Sequence, residues 1–290
     1  MKSMQHEVRH VFYIATFGIM LFSMMDAVMK AQAMALGTFN AIFWRMAMGA
    51  IFVSIFYLPT RPALASGRTL KIHLIRAGLN AVMAYLFFFG LTRIPLAQAI
   101  GLSFVAPIVT LFLAVPMLGE QIGANAKLAA TLGFGGVMTV MGGEVFAVSP
   151  GSDVLGMLSI LCSAVLYGVN LILQRMQALI AKPMEVAFYQ NLIIFCILLL
   201  GAPFLVVVPT ELVHWGGAAL AAALAVISLM LMSHAYSQAE AQRLVSVEYT
   251  AFIWAAILGW WSFAEPGSAR TLLGTSPIVG GCRVSARRRS

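Results

Sequence analysis

Long apolar stretches, separated by short polar connections, follow one another along almost the whole chain. A helix that crosses the hydrocarbon core of a bilayer needs about 20 mostly apolar residues. Stretches of about this length occur at residues 11–31, 40–58, 73–92, 95–118, 125–144, 153–175, 185–208, 215–237, 241–263 and 268–285. Because they are continuously apolar and do not alternate between apolar and polar positions, they predict helices and not the strands of a membrane barrel.

The composition agrees with a helical membrane protein and excludes a soluble enzyme and a disordered chain. Hydrophobic residues occupy 61% of the 290 positions and charged residues 10%, whereas an ordinary soluble domain has about 25% charged residues. The net charge of +8 does not indicate a nucleic-acid partner, because the basic residues are scattered between the apolar stretches. The three cysteines lie inside apolar stretches, which argues against a disulfide or zinc framework.

The distribution of basic residues predicts that both termini face the cytoplasm. With the N-terminus inside, 14 lysines and arginines belong to the cytoplasmic side, 3 belong to the outer connections, and Arg45 lies within a span. Cytoplasmic connections of membrane proteins carry such an excess of positive charge. We therefore expect a multi-pass protein of the inner membrane, with residues 1–10 as a cytoplasmic tail and the connection 145–152 outside.

The two halves of the chain repeat each other at a constant spacing. Phe43-Trp44-Arg45 corresponds to Phe188-Tyr189-Gln190 at an offset of 145 residues, and spans one and six align at an offset of 144. Each half then holds five spans, and since five is odd, the halves must insert with opposite orientations. The predicted fold is an all-α integral membrane protein with ten transmembrane helices, arranged as two inverted five-helix repeats over residues 11–145 and 152–285.

Short motifs mark corresponding helix ends in the two repeats. Pro95-Leu96-Ala97-Gln98-Ala99 leads into a helix that ends with Leu118-Gly119-Glu120, and Ala264-Glu265-Pro266 echoes that ending in the second half. Together with the two repeats, these motifs resemble the EamA branch of the drug/metabolite transporter superfamily. The resemblance covers nearly the whole chain. It implies ten helices, a cytoplasmic N-terminus, a central cavity and transport without ATP hydrolysis, and it leaves the substrate open.

The tenth span departs from the pattern of the first repeat. Pro277 stands where the first repeat has Leu132, and Arg283 stands where it has Met138. Proline removes a helix hydrogen bond, so we expect a kink at Pro277. The long side chain of Arg283 is expected to reach toward the cytoplasm. This helix is therefore the least regular of the predicted set.

Polar side chains deep in spans one, two, six, seven and nine predict a shared cavity that binds the substrate. Ionisable and polar groups are costly in lipid, and inside spans they mark substrate pathways or structural pairs. The candidates are Asp26, Trp44 and Arg45 in the first half, and Tyr167, Asn170, Tyr189, Gln190, Glu248 and Tyr249 in the second. Their aromatic members could stack on a ring or surround a cation.

The charged candidates leave two interpretations open. Asp26 and Arg45 are either a structural pair that locks two helices or a charged wall of the cavity. Asp26, Glu248 and, as a weaker third, His234 are candidates for binding a coupled proton, because each can change its charge while buried. Two acids and one base give the cavity a formal charge of −1, which favours a zwitterion or a cation with an apolar ring over a dianion.

An enzymatic alternative rests on the N-terminal motif His6-Glu7-Val8-Arg9-His10. On a helix the two imidazoles share a face and could bind zinc, with Glu7 as general base. This short tail has little to hold it helical, and no nearby residue is an obvious third ligand. A membrane zinc peptidase, like a non-transporting scaffold, is therefore the weaker hypothesis.

The sequence as a whole predicts a secondary transporter, not an enzyme. The expected substrate is a small polar or amphipathic metabolite, amino-acid-like, nucleoside-like or vitamin-like, moved by alternating access. No phosphate-binding G-x-x-x-x-G-K-[ST] motif is present, so ATP hydrolysis is not expected. The expected partners are the substrate, the lipid bilayer and a coupled proton, with no resident metal or cofactor.

Overall fold

The computed structural model of the protein describes residues 2–60, 63–65, 67–119, 123–124, 127–128, 130–132, 134–135 and 153–263. Within these residues the regular structure is entirely helical. The helices are α1 (Lys2–Leu36), α2 (Thr38–Tyr57), α3 (Gly67–Leu91), α4 (Leu96–Ser103), α5 (Val105–Leu118), α6 (Val154–Ala178), α7 (Pro183–Leu199), α8 (Ala202–Leu205), α9 (Leu212–Gln238), α10 (Ala241–Glu248) and α11 (Thr250–Phe263). The predicted all-α class is confirmed.

Eight of the ten predicted spans coincide with described helices. Six segments are long and apolar enough to cross a bilayer, namely His10–Leu36, Thr38–Thr60, Gly67–Leu91, Gln98–Leu118, Val154–Ala178 and Leu212–Gln238. Two shorter apolar helices, α7 and α11, belong to predicted spans seven and nine. Most of the fifth span, and the whole tenth span with Pro277 and Arg283, lie outside the described residues. The count of ten therefore stays a prediction.

The N-terminal tail is helical, contrary to the expectation from its length. α1 begins at Lys2 and runs without interruption into the first span. A short isolated tail would have to form a costly helix nucleus, whereas these residues only extend a helix that already exists. Among the residues described, no group of three or more histidine, cysteine, aspartate or glutamate side chains is placed to hold a metal ion.

The regular α-helix is interrupted at a single residue near the middle of spans four and nine, at equivalent positions of the two repeats, and we call each interruption a helix break. Phe104 separates α4 from α5, and Tyr249 separates α10 from α11, 145 residues further on. The two rings lie against each other, with their centroids 5.0 Å apart. In the first repeat, Pro107 has no backbone N–H to donate to the carbonyl of Ser103, which favours a break there.

The contacts between helices also repeat when the two halves are exchanged. α1 packs on α9, and its counterpart α6 packs on α3. α4 packs on α11, and its counterpart α10 packs on α5. The first part of each broken span therefore contacts the second part of the other, which brings both breaks to the centre. This exchange symmetry is what the two-repeat architecture predicts.

Close packing of α3 on α6 depends on Gly90. A Cβ atom at this position would lie 2.6 Å from Cγ1 of Ile160 and 2.7 Å from the backbone oxygen of Gly156. Small residues let membrane helices approach closely and so supply much of their packing energy. The glycine thus fixes the distance between two helices that carry most of the polar side chains described below.

Candidate functional site

A cavity with polar groups in its wall lies beside the two helix breaks. Its volume is about 120 Å³, enough for several water molecules. Helices from both repeats line it, including α1, α2 and α3 from the first and α6, α7 and α10 from the second. Five of the nine predicted site residues contribute to the wall: Asp26, Arg45, Tyr167, Gln190 and Glu248.

Asp26 and Arg45 line this cavity close enough to interact electrostatically, but no salt bridge joins them. Within the described part of the chain, Asp26 Oδ1 and Arg45 Nε have no hydrogen-bond partner. The same holds there for Asn80 Nδ2 and Gln190 Oε1, which lie in the same wall. An unpaired buried polar group costs about 1–3 kcal/mol, so such groups normally have partners. The cavity thus presents an acid, a guanidinium and two amides to whatever fills it.

Glu248 places a second acid at the cavity, directly before the helix break at Tyr249. It is the last residue of α10 and only 4% exposed. Its Oε2 accepts a hydrogen bond of 2.8 Å from the hydroxyl of Tyr167. Tyr167 lies on α6, so this bond joins two helices of the second repeat. Uptake or release of a proton by this carboxyl group would therefore change the charge at a contact between those helices.

Apart from Ser103 and Ser163, the remaining wall of the cavity is apolar and includes flexible and aromatic side chains. Methionine adapts to ligands of different shapes, and phenylalanine rings offer flat surfaces for stacking. These side chains are Phe22, Met25, Met46, Met83, Phe87, Phe88 and Phe104. A cavity with a few polar groups in a largely apolar wall fits an amphipathic molecule.

Four predicted site residues do not line the cavity. Trp44 donates its indole N–H to a backbone carbonyl after α8, at 3.0 Å, and its ring lies edge-on against Trp215. Tyr249 forms the second helix break, and its ring packs against that of Phe104. Asn170 and Tyr189 belong to a separate polar cluster. His234, the third candidate for a coupled proton, is exposed and lies within 2.6 Å of a glutamine one turn further along α9.

The separate polar cluster is centred on Arg76, one helical turn before Asn80 on α3. Arg76 is only 2% exposed, although its position near the start of span three counted it among the basic residues of the cytoplasmic side. Its Nε donates to Asn170 Oδ1 at 3.0 Å, and its Nη2 donates to Gln174 Oε1 at 3.2 Å. Its Nη1 donates to Gln177 Oε1 at 2.5 Å. All three acceptors lie on α6, so Arg76 ties the first repeat to the second.

His73 extends this cluster from α6 to α7. Its Nδ1 lies 2.6 Å from Gln177 Nε2, and its Nε2 lies 3.3 Å from Glu185 Oε1. The imidazole stacks on the ring of Tyr189, with centroids 4.6 Å apart. The hydroxyl of Tyr189 in turn accepts the backbone N–H of Ala65 at 2.9 Å. Tyr189 therefore supports the connection between α2 and α3.

Sequence reasoning missed Asn80, Arg76, His73, Gln177 and Glu185. A signal for part of the set exists, because positions 73, 76 and 80 follow the helical spacing of three and four residues. They therefore share one face of α3. Gln177 continues the polar face of α6 that the sequence already shows at Gln174 and before. Glu185 offers no such pattern, since its role depends on how α7 packs.

A more exposed ion pair joins the end of α3 to the start of α6, opposite the Arg76 cluster. Arg93 Nη1 lies 2.7 Å from Asp153 Oδ2. Asp153 also caps α6 by accepting the backbone N–H of Gly156 at 2.8 Å. That backbone hydrogen bond, and then the Arg93 guanidinium, hold the pKa of Asp153 below its ordinary value. Nearby, Lys30 Nζ donates to the carbonyl of Ile94 at 3.3 Å.

Comparisons with known proteins agree with this architecture. The sequence profile of the EamA-like transporter family matches residues 10–142 and 154–287, which confirms the resemblance seen in the sequence. The pseudopaline exporter CntI of Pseudomonas aeruginosa (strain UCBPP-PA14) is 27% identical over 282 residues, covering 94% of this chain and 95% of the exporter.

Two further similarities support the same grouping. A riboflavin transporter of Rhizobium johnstonii is 26% identical over 269 residues, covering 89% of this chain and 84% of that protein. A protein of known crystal structure superposes with a TM-score of 0.76 at 19% identity, covering 95% of this chain and 98% of the other. At that identity the structural likeness concerns the fold alone.

Proposed function

We propose that this chain, which belongs to the EamA-like transporter family, is a secondary carrier of a small polar or amphipathic metabolite. Family membership and the names of its relatives make it a multi-pass membrane transporter of small molecules. The observation that carries the finer proposal is the central cavity, where one atom each of an acid, a guanidinium and two amides has no hydrogen-bond partner within the described residues. A bound polar molecule would supply those partners.

The proposed mechanism is alternating access without ATP hydrolysis. The repeats, proposed to span residues 11–145 and 152–285, make equivalent contacts when exchanged. Two such halves can adopt two related packings, one open to each side of the membrane. The helix breaks at Phe104 and Tyr249 lie beside the cavity, where a ligand could influence how the half-helices pack.

The chemistry of the cavity supports a substrate with both a charged or polar part and an apolar part. Asp26 and Glu248 can bind a cationic group, and Arg45 can bind a carboxylate or a carbonyl oxygen. If all three are ionised, the net charge disfavours a dianion. Asp26 and Glu248 are also the proposed positions for a coupled proton.

A ligand screen followed by transport in liposomes tests the proposed function. We expect purified protein to be stabilised by at least one small polar metabolite, because a ligand that binds only the folded state raises the unfolding temperature. That metabolite should then cross the membrane of protein-containing liposomes down its gradient, with no ATP present. Stabilisation without any flux would favour a binding or scaffold protein. Bound zinc together with peptide hydrolysis would favour the peptidase.

The proposed orientation, with both termini in the cytoplasm of an inner-membrane protein, is tested at two described connections. Thr210, between α8 and α9, and Lys182, between α6 and α7, are both exposed. In a variant without native cysteines, we expect Thr210→Cys to react with an impermeant reagent on intact cells. Lys182→Cys should react only after the membrane is opened. The reverse pattern would overturn the orientation.

A further inference from the structure

The cluster of His73, Arg76, Gln177 and Glu185 connects α3 of the first repeat to α6 and α7 of the second. These residues lie close to the start of α3, the end of α6 and the start of α7. All three helix ends are on the proposed cytoplasmic side. Asn80, one turn further along α3 than Arg76, already lines the cavity. The cluster therefore lies between the cavity and the cytoplasm.

The hydrogen bonds of Arg76 determine how Gln177 is oriented. A guanidinium has only donors, so Gln177 must direct its Oε1 toward Arg76 Nη1, at 2.5 Å. The amide Nε2 then points to His73 Nδ1, at 2.6 Å. Since an amide nitrogen can only donate, His73 Nδ1 must accept and carries no proton. The imidazole is therefore neutral, and its Nε2–H donates to Glu185 Oε1 at 3.3 Å.

A second proton on His73 is incompatible with this arrangement. Protonated Nδ1 would place one N–H group against the N–H of Gln177, and the bond between them would be lost. If Gln177 rotated its amide to accept from His73, its NH₂ group would face Arg76 and the bond to the guanidinium would be lost instead. Every alternative removes at least one of the bonds that join α3 to α6.

Some of the charged groups around His73 favour protonation of its imidazole, and others oppose it. Glu185 on α7 favours an imidazolium, whereas Arg76 on the same helix opposes it. Tyr189 of α7 stacks on the ring, and Tyr57 of α2 is close enough to Glu185 and Tyr189 to interact electrostatically with both. From α6 the group that faces the ring is the neutral amide of Gln177. The contact with α6 is therefore the one that protonation breaks, while the contact with Glu185 persists.

We propose that His73, Arg76, Gln177 and Glu185 form a proton-sensitive latch that holds the cytoplasmic side of the cavity closed while His73 is neutral. The proposal rests on the proposed function and orientation. It makes His73 a positioning residue, which acts through the packing of α3 on α6 and not by touching the substrate. Protons on the cytoplasmic side would loosen the latch and open the cavity inward.

Cysteine accessibility tests the latch without requiring any knowledge of the substrate. Ala164 lines the cavity, so Ala164→Cys in a variant without native cysteines reports entry of an impermeant thiol reagent from the cytoplasmic face. Its reaction rate is divided by that of Lys182→Cys at the same pH, which removes the pH dependence that the two thiols share. We expect this ratio to rise about fivefold between about pH 8 and 5.5, the range in which imidazole titrates, as one hydrogen bond is lost.

Two variants are expected to change the pH dependence of this ratio in ways that a loss of folding would not. His73→Gln cannot gain a proton, so the ratio should no longer change with pH. Gln177→Glu should keep the ratio low at every pH, because its carboxylate accepts from both Arg76 and a protonated His73. His234→Gln, which alters an exposed histidine on α9, should retain the normal rise. A pH-dependent rise that survives in either His73→Gln or Gln177→Glu would overturn the latch, even if transport itself is confirmed.

Discussion

Arg45→Gln is expected to abolish substrate binding and transport while the protein still inserts and folds. Arg45 lines the cavity, and within the described residues its Nε has no hydrogen-bond partner, so this atom is available to a substrate. Losing a buried charged contact with a ligand costs about 2–5 kcal/mol, which corresponds to a loss of at least about 30-fold in affinity. Counterflow uptake in liposomes and thermal stabilisation by the ligand measure the two effects.

The double variant Asp26→Asn with Arg45→Gln separates a binding role from a structural one. If the two charges merely balanced each other, removing both would relieve the unpaired buried charge and restore transport. Because no salt bridge joins the two side chains, we expect the double variant to fold and remain inactive. The matched control is Arg93→Gln, which removes a partly exposed guanidinium outside the cavity and should retain transport. Normal transport in Arg45→Gln would remove this residue from the site.

The helices of the bundle were predictable because lipid selects for long apolar segments. Eight predicted spans coincide with helices, and the internal repeat correctly relates the two halves. The breaks at Phe104 and Tyr249 were not predicted. Pro107 gives a hint in the first repeat, but Phe252 occupies the corresponding position in the second. That break depends on tertiary packing between the half-helices, which one sequence does not reveal.

Five of the nine predicted site residues line the cavity, and the direction in which a side chain leaves its helix helps to separate them from the others. Neighbouring residues on a helix point about 100° apart, so Trp44 and Arg45 are directed differently, and so are Tyr189 and Gln190. In both pairs the cavity receives the second residue. Asn170 shares a face with Tyr167 but lies one turn further along α6, beyond the cavity and within reach of Arg76.

The open question about Asp26 and Arg45 also needed the structure. Depth in the spans suggested both a structural pair and a charged wall, because the sequence gives depth but not the distance between side chains. The two residues line one cavity without bonding to each other. For Arg76, too, the sequence gives the depth of the residue but not the side chains that contact it. Its position near the start of a span indicated a cytoplasmic charge, whereas its three amide partners come from a helix about 100 residues away in sequence.

Glu248→Gln is expected to eliminate accumulation driven by a pH gradient while exchange of substrate across the membrane continues. The hypothesis is that Glu248 binds the coupled proton, since it lies at the cavity and at the helix break. An amide keeps the shape of the side chain and can still bond to Tyr167, but it cannot take up or release a proton. Uptake against an imposed substrate gradient should fall to the level of protein-free liposomes, whereas counterflow should persist.

Two further variants show whether a loss of proton coupling in Glu248→Gln comes from the carboxyl group itself. Tyr167→Phe removes the 2.8 Å hydrogen bond but keeps the carboxyl group, so coupling should survive with altered pH dependence. Glu211→Gln changes an acid that is 72% exposed, and it should behave like the unmodified protein. Proton entry is followed with a pH-sensitive dye inside the liposomes. If Glu248→Gln still moves protons with substrate and Asp26→Asn does not, the coupling site is Asp26. If the unmodified protein moves no protons at all, the carrier runs on the substrate gradient alone, and Glu248 serves only to bind the substrate's cationic group.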